Sequence, residues 1–182
     1  MWMQYGPWLS QPRVIDMFVR PRVLLREITS PMPYCFSAAY TSVPFLSNKS
    51  VLTVLHCNDD ERQLRVLEAV LNSRLMSLCY RSRAVKSARM VFPKVVVRNL
   101  RELPFPKDIS PVATSRLLAH VDGMRGVRAE AEAARIPQQQ SAAVREHDRL
   151  AGLVDRTVCE LFGLSREQTD LLLSITDAGR SD

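Results

Sequence analysis

Glycine is scarce and scattered in this chain, six in 182 residues, and none forms a GxG-type loop after a strand-like run, so a glycine-rich cradle for a nucleotide-like cofactor has no candidate. The four cysteines, Cys35, Cys57, Cys79 and Cys159, form no CxxC pair. A zinc site from His56, Cys57 and Cys79 lacks ligand spacing, and buried reduced thiols are the expectation. No apolar run reaches the ~18 residues of a membrane span, and no basic region precedes an apolar run at the start, which predicts a cytoplasmic location. The three histidines, His56, His120 and His147, stand in no spacing with Ser, Cys or Asp that would build a nucleophile. No PD…ExK-like nuclease cluster is present either, and Asp59, Asp60 and Glu61 read as the start of a helix.

Lysine is rare as well: only Lys49, Lys86, Lys94 and Lys107. Arginine carries the positive charge, and its planar fork suits bidentate contacts to phosphate or guanine. The charge is unevenly divided. Residues 1–107 hold 16 Lys and Arg against 7 Asp and Glu, a net of +9, whereas residues 108–182 hold 9 against 12, a net of −3. An anionic partner is therefore expected on the first part. At 46% hydrophobic and 24% charged the composition is ordinary for a globular chain, and the length allows one sizeable core or a domain with a helical extension.

Local patterns predict an α+β fold: a small twisted β-sheet with a packed helix, followed by a C-terminal antiparallel helical hairpin. Strands are expected at residues 22–29, 34–41 and 50–56, set between proline and polar turns. Leu64, Leu67, Leu71, Leu75 and Leu78 recur at spacings of three and four, which predicts one helix over 61–80 with Asn58 as its cap. Val95, Val96 and Val97 predict a further strand, ended by Leu103-Pro104-Phe105-Pro106. Beyond Pro106 the pattern turns helical. One helix is expected from Pro111 to about Ala134, a break at residues 136–140, a second helix over 141–162 ended by Gly163, and a short one over 166–175 with Ser165 and Gln168 in capping-box register. The division expected is a basic α+β domain, 1–107, and a helical hairpin extension, 108–182.

The tract 81–93 carries Arg81, Arg83, Lys86 and Arg89 with no acid. Together with Lys94 and Arg98 these cations are expected to form one basic face, for which a polyanion is the natural partner. Arg20, Arg22 and Arg26 lie in or beside a strand, and Arg98 and Arg101 flank Asn99, adding donors for phosphates or base edges. The opening segment, with Tyr5, Trp8 and Phe18 among Pro7, Pro12 and Pro21, looks like the middle of a domain and is expected to expose an apolar surface.

The runs GPWLSQPR, RPRVLLREIT, FLSNKSV, LEAVLNSRL, VRNLRELPFP and VDRTVCELFGLSREQTDLLL, in this order over about residues 5–175, resemble the TaqI-like C-terminal specificity domain of adenine-specific DNA methyltransferases and of fused restriction and modification enzymes. The resemblance matches Arg26 to a basic residue of a strand, Asn48 and Lys49 to a turn, and Asn72-Ser73 to a Leu-Asn-Ser on a helix. It implies a target-recognition module that holds double-stranded DNA beside a methyltransferase or restriction catalytic domain, so that an adenine is flipped into that domain's pocket. Amino-methyltransferases of this kind use Asn/Asp-Pro-Pro-Tyr/Phe, and this chain has none. Ser30-Pro31-Met32-Pro33-Tyr34 comes nearest, but Met32 shifts Tyr34 out of register. The isolated chain is thus expected to be no enzyme and to bind no cofactor, S-adenosylmethionine belonging to the catalytic domain. The alternative is an interaction scaffold, or a degenerate fragment, that docks a methyltransferase subunit without binding DNA.

Overall fold

The computed structural model describes residues 5–9, 12–83 and 94–178. After a single helical turn, α1 (Asp16–Val19), three strands form an antiparallel sheet: β1 (Arg22–Arg26), β2 (Ala38–Thr41) and β3 (Val51–Leu55), in the order β2-β1-β3. The first strand is central, with Val23 opposite Tyr40 on one side and Val54 on the other. Alternation sends Val23 and Leu25, both fully buried, toward the helical layer and leaves Arg22, Leu24 and Arg26 on the opposite side.

The expected long helix is two helices, α2 (Glu61–Leu71) and α3 (Arg74–Arg83). The break falls at Asn72 and Ser73 and has a structural cause. The Asn72 side chain accepts from the Ala38 N–H and donates to the Ala38 carbonyl, both at 2.8 Å, and so occupies the outer edge of β2 as a strand residue would. Ser73 restarts the helix by accepting from the Met76 N–H at 3.2 Å. Asp60, not Asn58, caps α2, its carboxylate accepting from the Gln63 N–H at 3.0 Å. His56 shapes this turn through Nδ1, which accepts from the Asn58 and Asp60 N–H groups at 3.3 and 3.2 Å.

No strand forms at 95–97. Lys94 makes one isolated bridge to Ile28, the Val95 N–H donates to the Glu27 carbonyl at 2.7 Å, and the chain then turns into α4 (Val97–Arg101). Val95 is buried whereas Val96 and Val97 are 44% exposed. Packing of Leu100 and Leu103 against the core outweighs the β preference of three valines.

Helices α5 (Pro111–Ala133) and α6 (Pro137–Leu161) form the antiparallel hairpin, and α7 (Arg166–Ala178) packs on α3. Ser110 caps α5 by accepting from the Ala113 N–H at 3.1 Å. The break expected over 136–140 is narrower, because Pro137 sits at the first position of α6 instead of ending a helix. The C-terminus of α6 closes in a Schellman arrangement: Gly163, at φ 75°, donates to the Glu160 carbonyl at 2.9 Å, and the Leu164 N–H reaches the Cys159 carbonyl at 3.1 Å. Ser165 and Gln168 then make both bonds of a capping box, at 3.2 and 2.8 Å.

One apolar cluster runs through both halves of the chain, joining Val23, Leu25, Leu64, Val70 and Met76 to Leu117, Val121, Val154, Val158 and Leu172. Ion pairs reinforce the seam: Arg65 with Asp122 at 2.5 Å and Arg125 with the buried Glu68 at 2.6 Å. Among the described residues no group of His, Cys, Asp or Glu could hold a metal, and no helix is long and apolar enough to cross a membrane. Cys35 and Cys159 are buried free thiols as expected, but Cys57 is exposed.

Candidate nucleic-acid interface

At one end of the sheet, where β1 leaves the core, backbone geometry gathers several cationic positions. Arg26 is the last residue of β1, is exposed, and sits opposite Val51. The β2–β3 turn ends beside it, since the Glu27 N–H donates to the Ser50 carbonyl at 2.9 Å. In that turn Asn48 accepts from the Ser50 N–H at 3.0 Å, which fixes its side chain and leaves Lys49 exposed at the tip. Lys94 arrives from the far side: it bridges to Ile28, and its ammonium lies 3.3 Å from the Glu27 carboxylate. Tyr80, one residue before Arg81, donates to the Lys94 carbonyl at 3.3 Å and accepts from the Val96 N–H at 3.0 Å. That pair of bonds brings the C-terminus of α3, with Arg81 and Arg83, to the same end.

The expected basic cluster is only partly free of acids. Arg26, Lys49 and Arg81 have no carboxylate partner among the described residues, whereas Lys94 pairs with Glu27 and Arg98 with Glu102 at 3.4 Å. Arg83 folds back on its own helix and donates to the Cys79 carbonyl at 3.1 Å, capping α3. Arg81 approaches Cys35: burial pushes that thiol pKa up, and the guanidinium opposes the shift. Lys86 and Arg89 lie outside the described residues. Arg98 stands further along, on α4, with an 87% exposed side chain.

Two other arginines have structural work instead. Arg22 is fully buried, donates to the carbonyls of Arg20, Val43 and Phe45 at 2.9, 3.0 and 3.3 Å, and stacks 4.8 Å from the Phe45 ring centroid. Burial lowers its pKa. Arg20 holds Asp59, a residue at φ 53°, by a 2.8 Å hydrogen bond, and reaches the His56 carbonyl at 2.9 Å. Tyr34, from the near-miss tetrad, points into the helical seam and donates to Asp155 at 2.9 Å. Sequence reasoning did not find Asp155, which is buried at a helix–helix contact with no local motif to mark it.

The surface can therefore offer guanidinium and ammonium donors at the rim of a short sheet, mounted on strand and helix ends that backbone hydrogen bonds hold rigidly. Comparison with known proteins supplies the context. No curated protein and no solved structure matches the chain. A protein family does, by its TaqI-like C-terminal specificity domain, over residues 2–105. The match includes the sheet, α2, α3, α4 and every cation of this surface, and stops before α5. The resemblance drawn from the sequence ran over about residues 5–175, and the hairpin lies beyond the matched region. With more than half of its length matched, the chain belongs to the family of the TaqI-like C-terminal specificity domain.

Proposed function

We propose that this chain is the DNA target-recognition domain of a site-specific adenine-N6 methyltransferase or fused restriction and modification enzyme. It grips duplex DNA through the sheet end that carries Arg26, Lys49, Lys94, Arg81 and Arg83. The observation that carries the reading is the family match over the basic α+β part, supported by the backbone bonds of Glu27 and the Tyr80 hydroxyl bond to the Lys94 carbonyl, which draw the segments carrying these cations together. Phosphate contacts from that rim would set register on the duplex, and Asn48 and its neighbours at the turn would read base edges. The division of labour is basic platform, 1–107, and helical buttress, 108–182. Methyl transfer and S-adenosylmethionine belong to a catalytic domain or subunit that this module serves; flipping of the target adenine happens there.

The test is a salt titration of the 182-residue chain on duplex DNA. With about five phosphate contacts, log K falls against log salt with a slope near −4 to −5. Replacing Arg26, Lys49 and Arg81 together by alanine reduces the steepness by about 3. A slope near zero in the unmodified chain discards the reading.

A further inference from the structure

The strand β3 is an outer strand of the sheet, and among the described residues no further strand pairs with its free edge. Because Glu27 bonds to Ser50, alternation turns the polar backbone of Ser50, Leu52 and Val54 inward and that of Val51, Thr53 and Leu55 outward. Val51 is served locally: its N–H donates to the Asn48 carbonyl at 3.2 Å, and its carbonyl accepts from Arg13 at 3.5 Å. The outward groups of Thr53 and Leu55 have no partner among the described residues. The Thr53 hydroxyl is also buried without a hydrogen bond. Unpaired strand edges are commonly blocked by charge, proline or a covering helix; among the described residues Arg13 places a charge at the Val51 end of this edge and nothing blocks Thr53 and Leu55.

Alongside that edge runs an apolar groove of about 510 Å³ lined by Leu52 and Val54 of β3, Val97 and Leu100 of α4, and Phe105. Val97 and Phe105 are 44% and 42% exposed. The charged residues of the lining are Arg13 and Arg101, with no carboxylate. Arg101 has no acidic partner among the described residues either.

We propose that β3 is a docking edge for an extended segment of a partner polypeptide, which adds as a fourth strand and carries alternating apolar residues with carboxylates at its ends. The backbone of Thr53 and Leu55 supplies the ladder, the groove takes the inward side chains, and Arg13 and Arg101 take the acids. Charge decides between this occupant and a second copy of the chain. Two β3 edges placed together would bring the arginines of one groove against the like charges of the other, whereas an acidic strand neutralises them. The inference is independent of the DNA reading, since neither Arg13 nor Arg101 is among the cations assigned there to the duplex.

The probe is the fluorescently labelled peptide Glu-Val-Thr-Val-Thr-Val-Glu, titrated against the 182-residue chain by anisotropy, with amide exchange read in parallel. The expectation is saturable binding with protection of the Thr53 and Leu55 amides. Affinity should drop about tenfold or more for Arg101→Glu, and similarly when lysine replaces both glutamates of the peptide. Thr53→Pro removes the outward N–H, leaves the inward ladder intact and should abolish binding. If that variant does not fold, the charge pair and the exchange pattern still decide. Equal binding of the lysine peptide, protection elsewhere than β3, or no binding overturns the proposal. So does concentration-dependent dimerisation of the chain that Arg101→Glu strengthens, which would give the edge to a second copy.

Discussion

The backbone N–H of Arg74 donates to the Asp155 carboxylate across 2.8 Å, joining the first residue of α3 to the C-terminal part of α6. The Tyr34 hydroxyl donates to the same carboxylate at 2.9 Å, and the Arg74 guanidinium lies 3.2 Å from it before reaching Asp177 at 2.6 Å. The Tyr34 loop, α3 and the hairpin thus share one buried ionic knot, since Asp155 is 1% exposed.

That knot gives the fold a pH dependence with a definite sign. Burial, opposed by the Arg74 and Tyr34 hydrogen bonds, pushes the Asp155 pKa up from 3.8 to about 6. A carboxyl whose pKa is higher in the folded state binds its proton more tightly there, so its contribution is fully present below pH 3.8 and fades as pH rises through about 6. Two pKa units correspond to roughly 3 kcal/mol. Urea unfolding of the wild type and Asp155→Asn between pH 4 and pH 7 should show the wild type losing on the order of 2–3 kcal/mol relative to the variant. Parallel curves would show that the carboxylate carries no such burial cost.

Truncation should act differently from neutralisation. Asp155→Ala leaves the Tyr34 hydroxyl and the Arg74 N–H without an acceptor and opens a cavity, so it should lose about 3 kcal/mol at neutral pH. The measurement is again urea unfolding, and an alanine variant as stable as the asparagine one would refute the bonding scheme.

Arg22 makes a second buried-charge prediction. Its guanidinium holds the Val43 and Phe45 carbonyls, so Arg22→Ala should cost about 3 kcal/mol and deprotect the segment around residues 43–45 in hydrogen exchange. DNA affinity measured under folded conditions should stay within about twofold, because a fully buried cation makes no phosphate contact.

The sequence made the periodic and capped parts of this molecule readable. Ser110 with Pro111, Gly163, and Ser165 with Gln168 all act as their types predict, since a cap is settled by neighbours within one turn. The three strands were readable because each is a β-favouring run between turn residues. Errors arose where distant residues decide. The leucine spacing runs unbroken through Asn72, yet that side chain is claimed by Ala38, 34 residues earlier. Three valines at 95–97 favour a strand locally, but the apolar contacts of Leu100 bend the chain into α4. Within the candidate site, the acid-free tract pointed to Arg81 and the resemblance to Arg26 and Lys49, but neither could see that Glu27 would reach Lys94 or that Arg22 would be buried.

Asn72 carries a further stability prediction. Two hydrogen bonds to Ala38 at a net worth of about 1 kcal/mol each put Asn72→Ala near 2 kcal/mol. Asn72→Asp can still accept from the Ala38 N–H but sets an anion against the Ala38 carbonyl, so it should be the less stable of the two. Thermal unfolding ranks them, and the reverse order would mean that the amide does not serve as a surrogate strand.

Glu27 is the acid placed to restrain the basic rim. Its carboxylate lies 3.3 Å from the Lys94 ammonium, which is itself 57% exposed. An exposed pair of this kind contributes little to stability, so Glu27→Gln should leave the unfolding midpoint almost unchanged. The same substitution releases Lys94 and removes a negative charge beside Arg26. If duplex DNA meets this rim, affinity at low salt should rise about three- to fivefold, with the gain shrinking as salt screens it. Lys94→Ala in the Glu27→Gln background should cancel most of the gain, and this second variant separates release of the lysine from the general change in charge. An affinity unmoved by Glu27→Gln, in a chain that still binds DNA with a steep salt dependence, would place the duplex away from the β1 end of the sheet.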